Sequence, residues 1–113
     1  MDKRFTNIFG LTQEEAIALL KTPPDKIEDA SDRYIAASHL MNFSTPESIN
    51  ALIEAVERDD PDLDNRIVRR KAVESLGRLK VSEAVPIIRS CLKDDDCYLI
   101  ENSVWALRSE ARR

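Results

Sequence analysis

Four basic side chains in the middle of the chain are the residues best suited to binding an anion: Arg66, Arg69, Arg70 and Lys71. Arg66 and Arg70 are four residues apart, so on a helix they lie one turn apart on the same face and could clamp an anion together. The acidic run from Asp59 to Asp64 directly precedes them and cancels much of their field at short range. The pattern therefore indicates an anion clamp or a set of structural ion pairs, and it favours the structural role.

The chain's other reactive side chains favour structural roles as well. His39 is the only histidine, and no carboxylate or cysteine stands at metal-ligand or triad spacing from it, which predicts a surface or partly packed position. Cys91 aligns with a small core position of the preceding unit. Cys97 falls in the first turn of a helix, where the helix dipole lowers a thiol pKa, but Asp94–Asp96 act in the opposite direction. No catalytic residue and no metal site are predicted.

These side chains are carried by two predicted helices between Asp64 and Leu92. Each has apolar residues at spacings of three and four, which form one stripe at the helical period. The stripes consist of Val68, Ala72, Leu76 and Leu79 in the first helix and Val85, Ile88 and Leu92 in the second. Ser82 is the expected N-cap of the second helix. Neither helix can bury its stripe alone, so the two must pack on each other and on neighbours.

The same pattern occurs three times along the chain. Ala36 precedes Ala72 by 36 residues, and Ser103 follows Ala72 by 31 residues, with matching apolar neighbours at both positions. A two-helix unit that recurs every thirty-odd residues is typical of an α-solenoid, in which each unit buries its face against the next. The sequence therefore predicts an all-α fold of about two and a half stacked helical hairpins.

One domain, 1–113, accommodates these units. We expect a cap at 1–30, hairpins at 31–60 and 64–94, and an incomplete third unit at 96–113. Within the cap, Thr12 and Glu15 have capping-box spacing ahead of a helix from about Gln13 to Lys21, which lies outside the repeat register. The apolar residues before that helix, Phe5, Ile8 and Phe9, are expected to dock on it.

Comparing equivalent positions separates structural residues from exposed ones. Arg33 and Arg69 occupy the same place in successive hairpins, which predicts a ladder of arginines bonded to loop carboxylates such as Asp64 or to exposed carbonyls. In the third unit Ile100 stands at this place, and Trp105 stands at a second position that is charged in the second hairpin. No partner helix follows this unit. Its apolar residues are therefore expected either to contact another chain or to pack on a missing next unit: Ile100, Val104, Trp105 and Leu107.

Composition narrows the classes of partner. The 113 residues carry a net charge of −4, which argues against binding nucleic acid. No run of eighteen apolar residues and no signal peptide is evident, so we expect a cytoplasmic protein without membrane insertion. Two cysteines six residues apart form neither a CxxC motif nor a disulfide framework, and both should be thiols.

Two stretches carry a family resemblance. RIVRRKAVESLGRLKVSEAVPIIRSCLKDDDCYLIENSVWAL (Arg66 to Leu107) resembles the phycobilisome-lyase type of HEAT-like repeat. RFTNIFGLTQEEAIALL and SDRYIAASHLMNF resemble the N-terminal part of cyanobacterial bilin lyases and bilin-biosynthesis-like proteins. Together the stretches cover nearly the whole chain, although it stops after two and a half units.

The resemblance implies attachment of a linear tetrapyrrole to a cysteine of a phycobiliprotein. It implies a bilin of the phycocyanobilin type as ligand, without a covalently bound cofactor. Bilin propionates suit arginines, so the expected ligand contacts are Arg66, Arg69 and Arg70, with Tyr98 from the family's repeat motif.

The expected partner is a phycobiliprotein subunit, a second lyase subunit, or a second copy of the chain in a homodimer through the open C-terminal end. A related branch implies an alternative function, a non-catalytic adaptor for a protein such as an iron–sulphur assembly scaffold. Both functions are compatible with the sequence.

Overall fold

The computed structural model describes residues 10–111, which form six α-helices and no β-strand. The helices are α1 (Gln13–Leu20), α2 (Ser31–His39), α3 (Pro46–Glu57), α4 (Leu63–Leu79), α5 (Val85–Ser90) and α6 (Cys97–Ala111). Short 3-10 turns lie at Pro24–Lys26, Leu40–Asn42, Ser82–Ala84 and Cys91–Lys93. The predicted all-α class is confirmed. The docking predicted for Phe5, Ile8 and Phe9 falls outside the described residues.

Side-chain caps begin several helices where the sequence predicts them. At α1 the hydroxyl of Thr12 accepts from the Glu15 N–H at 3.1 Å, and the Glu15 carboxylate accepts from the Thr12 N–H at 3.0 Å, so the capping box is confirmed. Thr45 accepts at 3.1 Å from the N–H of Ser48, the third residue of α3, whose first residue is a proline. Asp96 accepts from the Tyr98 N–H at 3.1 Å in the first turn of α6, as predicted. These bonds satisfy donors that have no partner inside the helix.

Two helix boundaries in the second hairpin differ from the prediction. α4 begins at Leu63, inside the expected connection, because the Asp62 carboxylate accepts from the Asn65 N–H at 3.1 Å and caps the helix early. Ser82 makes no capping bond with its side chain and instead begins a 3-10 turn. α5 therefore starts only at Val85 and is six residues long before another 3-10 turn follows. The predicted Ser82 cap is wrong.

The helices form a row of stacked hairpins. The first helices α2, α4 and α6 lie side by side with α4 in the centre, and the second helices α3 and α5 pack along them. The molecule is flat, with principal extents of 42 × 30 × 17 Å. Eight of the positions that match between the repeats are fully buried, as their periodicity predicts: Ala36, Ala37, Leu40, Ala72, Val73, Leu76, Leu99 and Ser103. Leu92, the last residue of the stripe predicted for the second helix, is 38% exposed and lies beyond the end of α5. An α-solenoid accounts for this arrangement.

Gly77 allows α4 and α6 to approach each other closely. A Cβ atom at this position would lie 2.7 Å from Trp105 Cζ3, 2.8 Å from Ala106 Cβ and 2.9 Å from Ala106 Cα. Because the last of these atoms belongs to the backbone of α6, a side chain at residue 77 would push the two helices apart. The glycine is therefore a packing residue within a continuous helix rather than a break in its last turn.

The close approach predicts the effect of Gly77→Ala. The new methyl group would overpack the α4–α6 contact, and this cost exceeds the helix propensity gained from alanine, so we expect a loss of about 1 to 2 kcal/mol in the free energy of unfolding. Urea denaturation measures the loss. Gly10→Ala is the matched control, because no heavy atom lies within 4 Å of a Cβ there. Equal stability of the two variants would contradict the packing role.

Candidate cation–aromatic site

The predicted arginine ladder is present. Arg33 Nε donates to Leu20 O at 2.9 Å, and Arg69 Nε donates to Val56 O at 2.8 Å. In each case the carbonyl lies in the last turn of the preceding helix, where it has no partner inside that helix. The prediction of bonds to exposed carbonyls is thereby confirmed. The loop carboxylate that bonds to the ladder is Asp94, at Arg69, rather than Asp64.

The second bond of each arginine crosses to a neighbouring loop or helix. Arg33 Nη1 donates to Asn65 Oδ1 at 2.9 Å, and Arg69 Nη1 donates to Asp94 Oδ2 at 3.2 Å. The hydrogen bond from the Asp96 N–H and the bond from Arg69 hold the pKa of Asp94 below its ordinary value, against the effect of burial. Each guanidinium thus joins its own helix to the end of the preceding helix and to a residue of the following repeat.

The ladder also shows how α1 fits the stack. The carbonyl of Leu20 at the end of α1 accepts a hydrogen bond from Arg33 of α2. The carbonyl of Val56 near the end of α3 accepts the equivalent bond from Arg69 of α4. α1 therefore has the geometry of a second helix of a repeat, although the sequence placed it outside the repeat register. Within the described residues it covers the N-terminal end of the row.

Arg70 is turned away from Arg69 and meets α6. Its Nε donates to Asp96 Oδ2 at 2.8 Å, and its guanidinium carbon lies 4.7 Å from the centre of the Tyr98 ring. Burial opposes ionisation of Asp96, but the bonds from Arg70 and from the N–H groups of Leu99 and Tyr98 outweigh it and keep its pKa below the ordinary value. The two candidate ligand residues Arg70 and Tyr98 are thus brought together.

Two further cation–aromatic contacts lie along α4. Arg78 stands over the ring of Trp105, with 5.6 Å from its guanidinium carbon to the ring centre. Lys71 Nζ lies 5.1 Å from the ring centre of Tyr34 on α2. The Glu74 carboxylate joins the two cations, at 3.0 Å from Lys71 Nζ and 3.3 Å from Arg78 Nε. Cation and ring attract each other electrostatically at these distances.

We call these residues the cation–aromatic strip: Tyr34, Arg70, Lys71, Arg78, Tyr98 and Trp105. It runs across α2, α4 and α6, and its three rings are partly exposed, at 38% for Tyr34, 59% for Tyr98 and 41% for Trp105. Sequence reasoning included Lys71 in the basic cluster but missed Tyr34 and Arg78. The signal for Arg78 was a shared interval: Arg70 and Arg78 are eight residues apart and Tyr98 and Trp105 seven, which is about two helical turns in both cases.

The predicted anion clamp is only partly assembled. Arg66 makes no side-chain hydrogen bond or ion pair with residues 10–111, and it lies one turn before Arg70 on α4. Arg69 points instead toward the end of α3 and the loop before α6. The three arginines therefore do not converge on one point, and the roles of Arg66, Arg69, Arg70 and Tyr98 in ligand binding stay predictions.

The predicted partner surface on α6 contains one exposed groove. Ile100, Val104 and Trp105 line it together with Glu101, Arg108 and Ser109. Val104 is 36% exposed, whereas the equivalent Val73 of the preceding repeat is fully buried. Leu107, the fourth predicted residue, is partly buried and packs against the core. Partner binding at this surface stays a prediction.

The remaining reactive side chains are placed as follows. His39 Nε2 lies 2.6 Å from Leu11 O, and its ring meets the edge of Phe43. Cys91 is buried, and burial raises the pKa of its thiol, while Cys97 is an exposed free thiol.

In residues 10–111 no three His, Cys, Asp or Glu side chains are grouped to hold a metal ion. No helix in this part of the chain combines the length and the apolar character that a membrane span needs.

Sequence comparison identifies the repeat. The family of HEAT repeats matches residues 14–108, nearly the whole described part of the chain. The chain belongs to the HEAT-repeat family. Its predicted resemblance to the phycobilisome-lyase type of HEAT-like repeat is confirmed by the relatives described next.

Three similar proteins come from cyanobacteria of two genera. The uncharacterized phycocyanin operon protein Y of Pseudanabaena tenuis is 59% identical over 107 residues, which are 95% of this chain and 26% of that protein. The bilin biosynthesis protein CpeY of Synechococcus sp. is 46% identical over 82 residues, or 72% of this chain and 20% of CpeY. Phycocyanobilin lyase subunit alpha of Synechococcus elongatus is 36% identical over 114 residues, or 95% of this chain and 39% of that subunit. This HEAT-repeat chain thus spans well under half the length of each.

The Arg70–Asp96 pair predicts an acid-sensitive contribution to the stability of the HEAT repeats. Because the pKa of Asp96 is lower in the folded than in the unfolded chain, its stabilisation is complete above the ordinary value of 3.8 and is lost as the pH falls through the folded value. Asp96→Asn removes the charge, so we expect a loss of about 2 kcal/mol near neutral pH and a flatter decline in acid.

Urea denaturation at a series of pH values checks this expectation. Asp25→Asn serves as the control, because Asp25 is exposed and makes no bond with the described residues. Parallel pH profiles for the wild-type protein and Asp96→Asn would show that the pair does not stabilise the fold.

Proposed function

We propose that this chain is a phycobilin lyase-like protein that assists the attachment of a linear tetrapyrrole to a cysteine of a phycobiliprotein by holding the bilin or the acceptor on its helical-repeat surface. The observation that carries the proposal is similarity over most of the chain to CpeY and to phycocyanobilin lyase alpha subunits. The alternative of an adaptor for an iron–sulphur assembly scaffold gains no support from these relatives.

The cation–aromatic strip has the chemistry that such a ligand requires. A bilin is an extended conjugated molecule with two propionates, so it needs flat apolar surfaces and cations at separated points. Tyr98 and Trp105 lie about 10 Å apart along α6, given the rise of a helix. Arg70 and Arg78 face these two rings from the neighbouring α4, and Arg66 lies one turn before Arg70. This geometry supports binding of a bilin lengthwise between the two helices.

The charge of this surface favours an anion. Arg66, Lys71, Arg70 and Arg78 supply four cations, whereas only Asp96 and Glu74 are bonded to them as carboxylates. Arg66 has no partner among residues 10–111, so it is available to a propionate. Arg69 is less available, because its Nε and Nη1 both bond within the protein. Among the predicted contacts we therefore favour Arg66, Arg70 and Tyr98.

The chain's part in the reaction is to position the reactants. Holding a bilin at a fixed place beside the acceptor replaces a bimolecular encounter with a local one, and this alone accelerates bond formation. The acceptor thiol belongs to the phycobiliprotein, and no residue of this chain is assigned a covalent role. We propose the α6 groove at Ile100, Val104 and Trp105 as the surface that meets a phycobiliprotein or a second lyase subunit. The cytoplasmic setting stays a prediction.

Binding of phycocyanobilin tests the proposed ligand surface. We expect the purified chain, with a lyase partner subunit present, to shift the absorption band of the bilin. Arg66→Gln combined with Arg78→Gln should weaken binding about tenfold or more, because two charge-assisted contacts to the propionates are lost. Arg89→Gln is the matched control, since Arg89 is an exposed arginine on α5, away from the strip. An unchanged band at saturating protein would count against the proposal.

A charged substitution tests the proposed partner surface. Val104→Glu places a carboxylate in the α6 groove and should reduce binding to the partner subunit about tenfold or more, because desolvating this charge opposes association. Its circular dichroism should equal that of the wild-type protein, since Val104 is partly exposed. The solution mass distinguishes the homodimer: a wild-type monomer would exclude self-association at this end.

A further inference from the structure

The groove on α6 has a lining that is symmetric about its middle. Its six residues form three pairs, each centred on the midpoint between positions 104 and 105: Val104 with Trp105, Glu101 with Arg108, and Ile100 with Ser109. This midpoint also lies close to the middle of α6, which runs over Cys97–Ala111. When two copies of α6 pack antiparallel about it, each lining residue therefore lies opposite the other member of its pair.

The charges of the groove suit this antiparallel arrangement. Glu101 and Arg108 are both exposed, and neither side chain makes a hydrogen bond or ion pair with residues 10–111. They are seven residues apart, which is about 10 Å along the helix. In an antiparallel pair each Glu101 faces Arg108 of the other copy, so two ion pairs form together. A parallel pair in register would instead place like charges opposite each other, which opposes association.

The apolar centre of the groove supplies the contact between the copies. Val104 and Trp105 are 36% and 41% exposed, and they lie side by side at the midpoint. The guanidinium of Arg78 stands behind the Trp105 ring, 5.6 Å from its centre, and restricts its orientation. A large ring held in place beside a smaller apolar residue is a typical anchor of a protein interface. In the antiparallel pair Trp105 of each copy packs on Val104 of the other.

The exposed face of α6 differs from the face of α4 that receives α6. Arg108 stands 31 residues after Gly77, at the position where α4 allows a close helix contact. Glu101 stands 31 residues after Arg70, which bonds to Asp96 of the following unit. α6 therefore offers a second helix neither the close approach nor the basic contact that α4 offers, and its charges match a copy of itself.

We propose that two copies of this chain associate through the α6 groove, with their α6 helices antiparallel and Glu101 of each copy paired with Arg108 of the other. The inference rests on the proposed function in that it takes the α6 groove as the partner surface and names the occupant, but it does not require bilin binding. A contact between two helices of 15 residues is smaller than a standard interface, so we expect a weak dimer with a Kd of about 10 to 100 µM.

Sedimentation equilibrium of the purified chain without bilin tests the association. Over a range from about 5 to about 500 µM, the wild-type mass should rise from that of a monomer toward that of a dimer. Glu101→Arg and Arg108→Glu should each weaken the dimer about tenfold or more, because each places like charges opposite each other. The variant that combines both substitutions should restore the dimer, because its reversed pairs attract again.

Three results would overturn the proposal. They are a wild-type monomer over the whole range, a dimer that neither single substitution weakens, and a combined variant that is folded by circular dichroism but no stronger than the single ones. A wild-type monomer that still shifts the absorption band of phycocyanobilin would overturn the dimer and leave the proposed function standing. A dimer that restores as expected but binds no bilin would count against the proposed function alone.

Cys97 reports the orientation of the two helices. It is an exposed thiol at the start of α6, whereas the other cysteine, Cys91, is buried, so a nitroxide label attaches to Cys97 selectively. The proposed midpoint separates the two copies of Cys97 by about 22 Å along the helix axis, whereas a parallel pair brings them within about 10 Å. Electron paramagnetic resonance of the labelled dimer measures this separation, and a value near the shorter distance would overturn the antiparallel geometry.

Discussion

The stack depends on arginines that supply hydrogen bonds to the ends of preceding helices. The last carbonyls of a helix have no partner within it, and burying them against another repeat without a donor would be unfavourable. Arg33 and Arg69 meet this need at successive steps, at Leu20 O and Val56 O. Because each guanidinium also bonds to the following segment, it sets the distance between one repeat and the next.

This constraint divides the basic residues of α4 between two sides of the molecule. Arg69 is directed inward to the ladder, whereas Arg70, the next residue, is turned toward α6 by about 100° of helical rotation. Gly77 then brings α6 close enough for Tyr98 and Trp105 to meet the arginines of α4. The surface proposed to bind a bilin is thus a consequence of how the ladder and the close α4–α6 contact orient one helix.

Local patterns accounted for much of the fold and for part of the site. The spacing of Val68, Ala72 and Leu76 predicted a buried stripe, and all three are buried. The capping box at Thr12 was recognisable because all its partners lie within four residues. Ser82 failed as a cap because several turn geometries compete at that point, and the 3-10 turn before Pro86 prevailed. Among the candidate site residues, Arg70 and Tyr98 lie side by side, but the bond from Arg70 to Asp96 and its contact with the Tyr98 ring were not predicted.

By itself, the sequence determined the helical class, the repeat interval and the existence of an arginine ladder, since each follows from periodicity along one chain. Only the tertiary structure decided which side chains meet across helices. Lys71 with Tyr34 and Arg78 with Trp105 each join residues more than twenty-five positions apart. Such contacts depend on the angle and distance between packed helices, and a residue like Gly77 sets these through the side chain that it lacks.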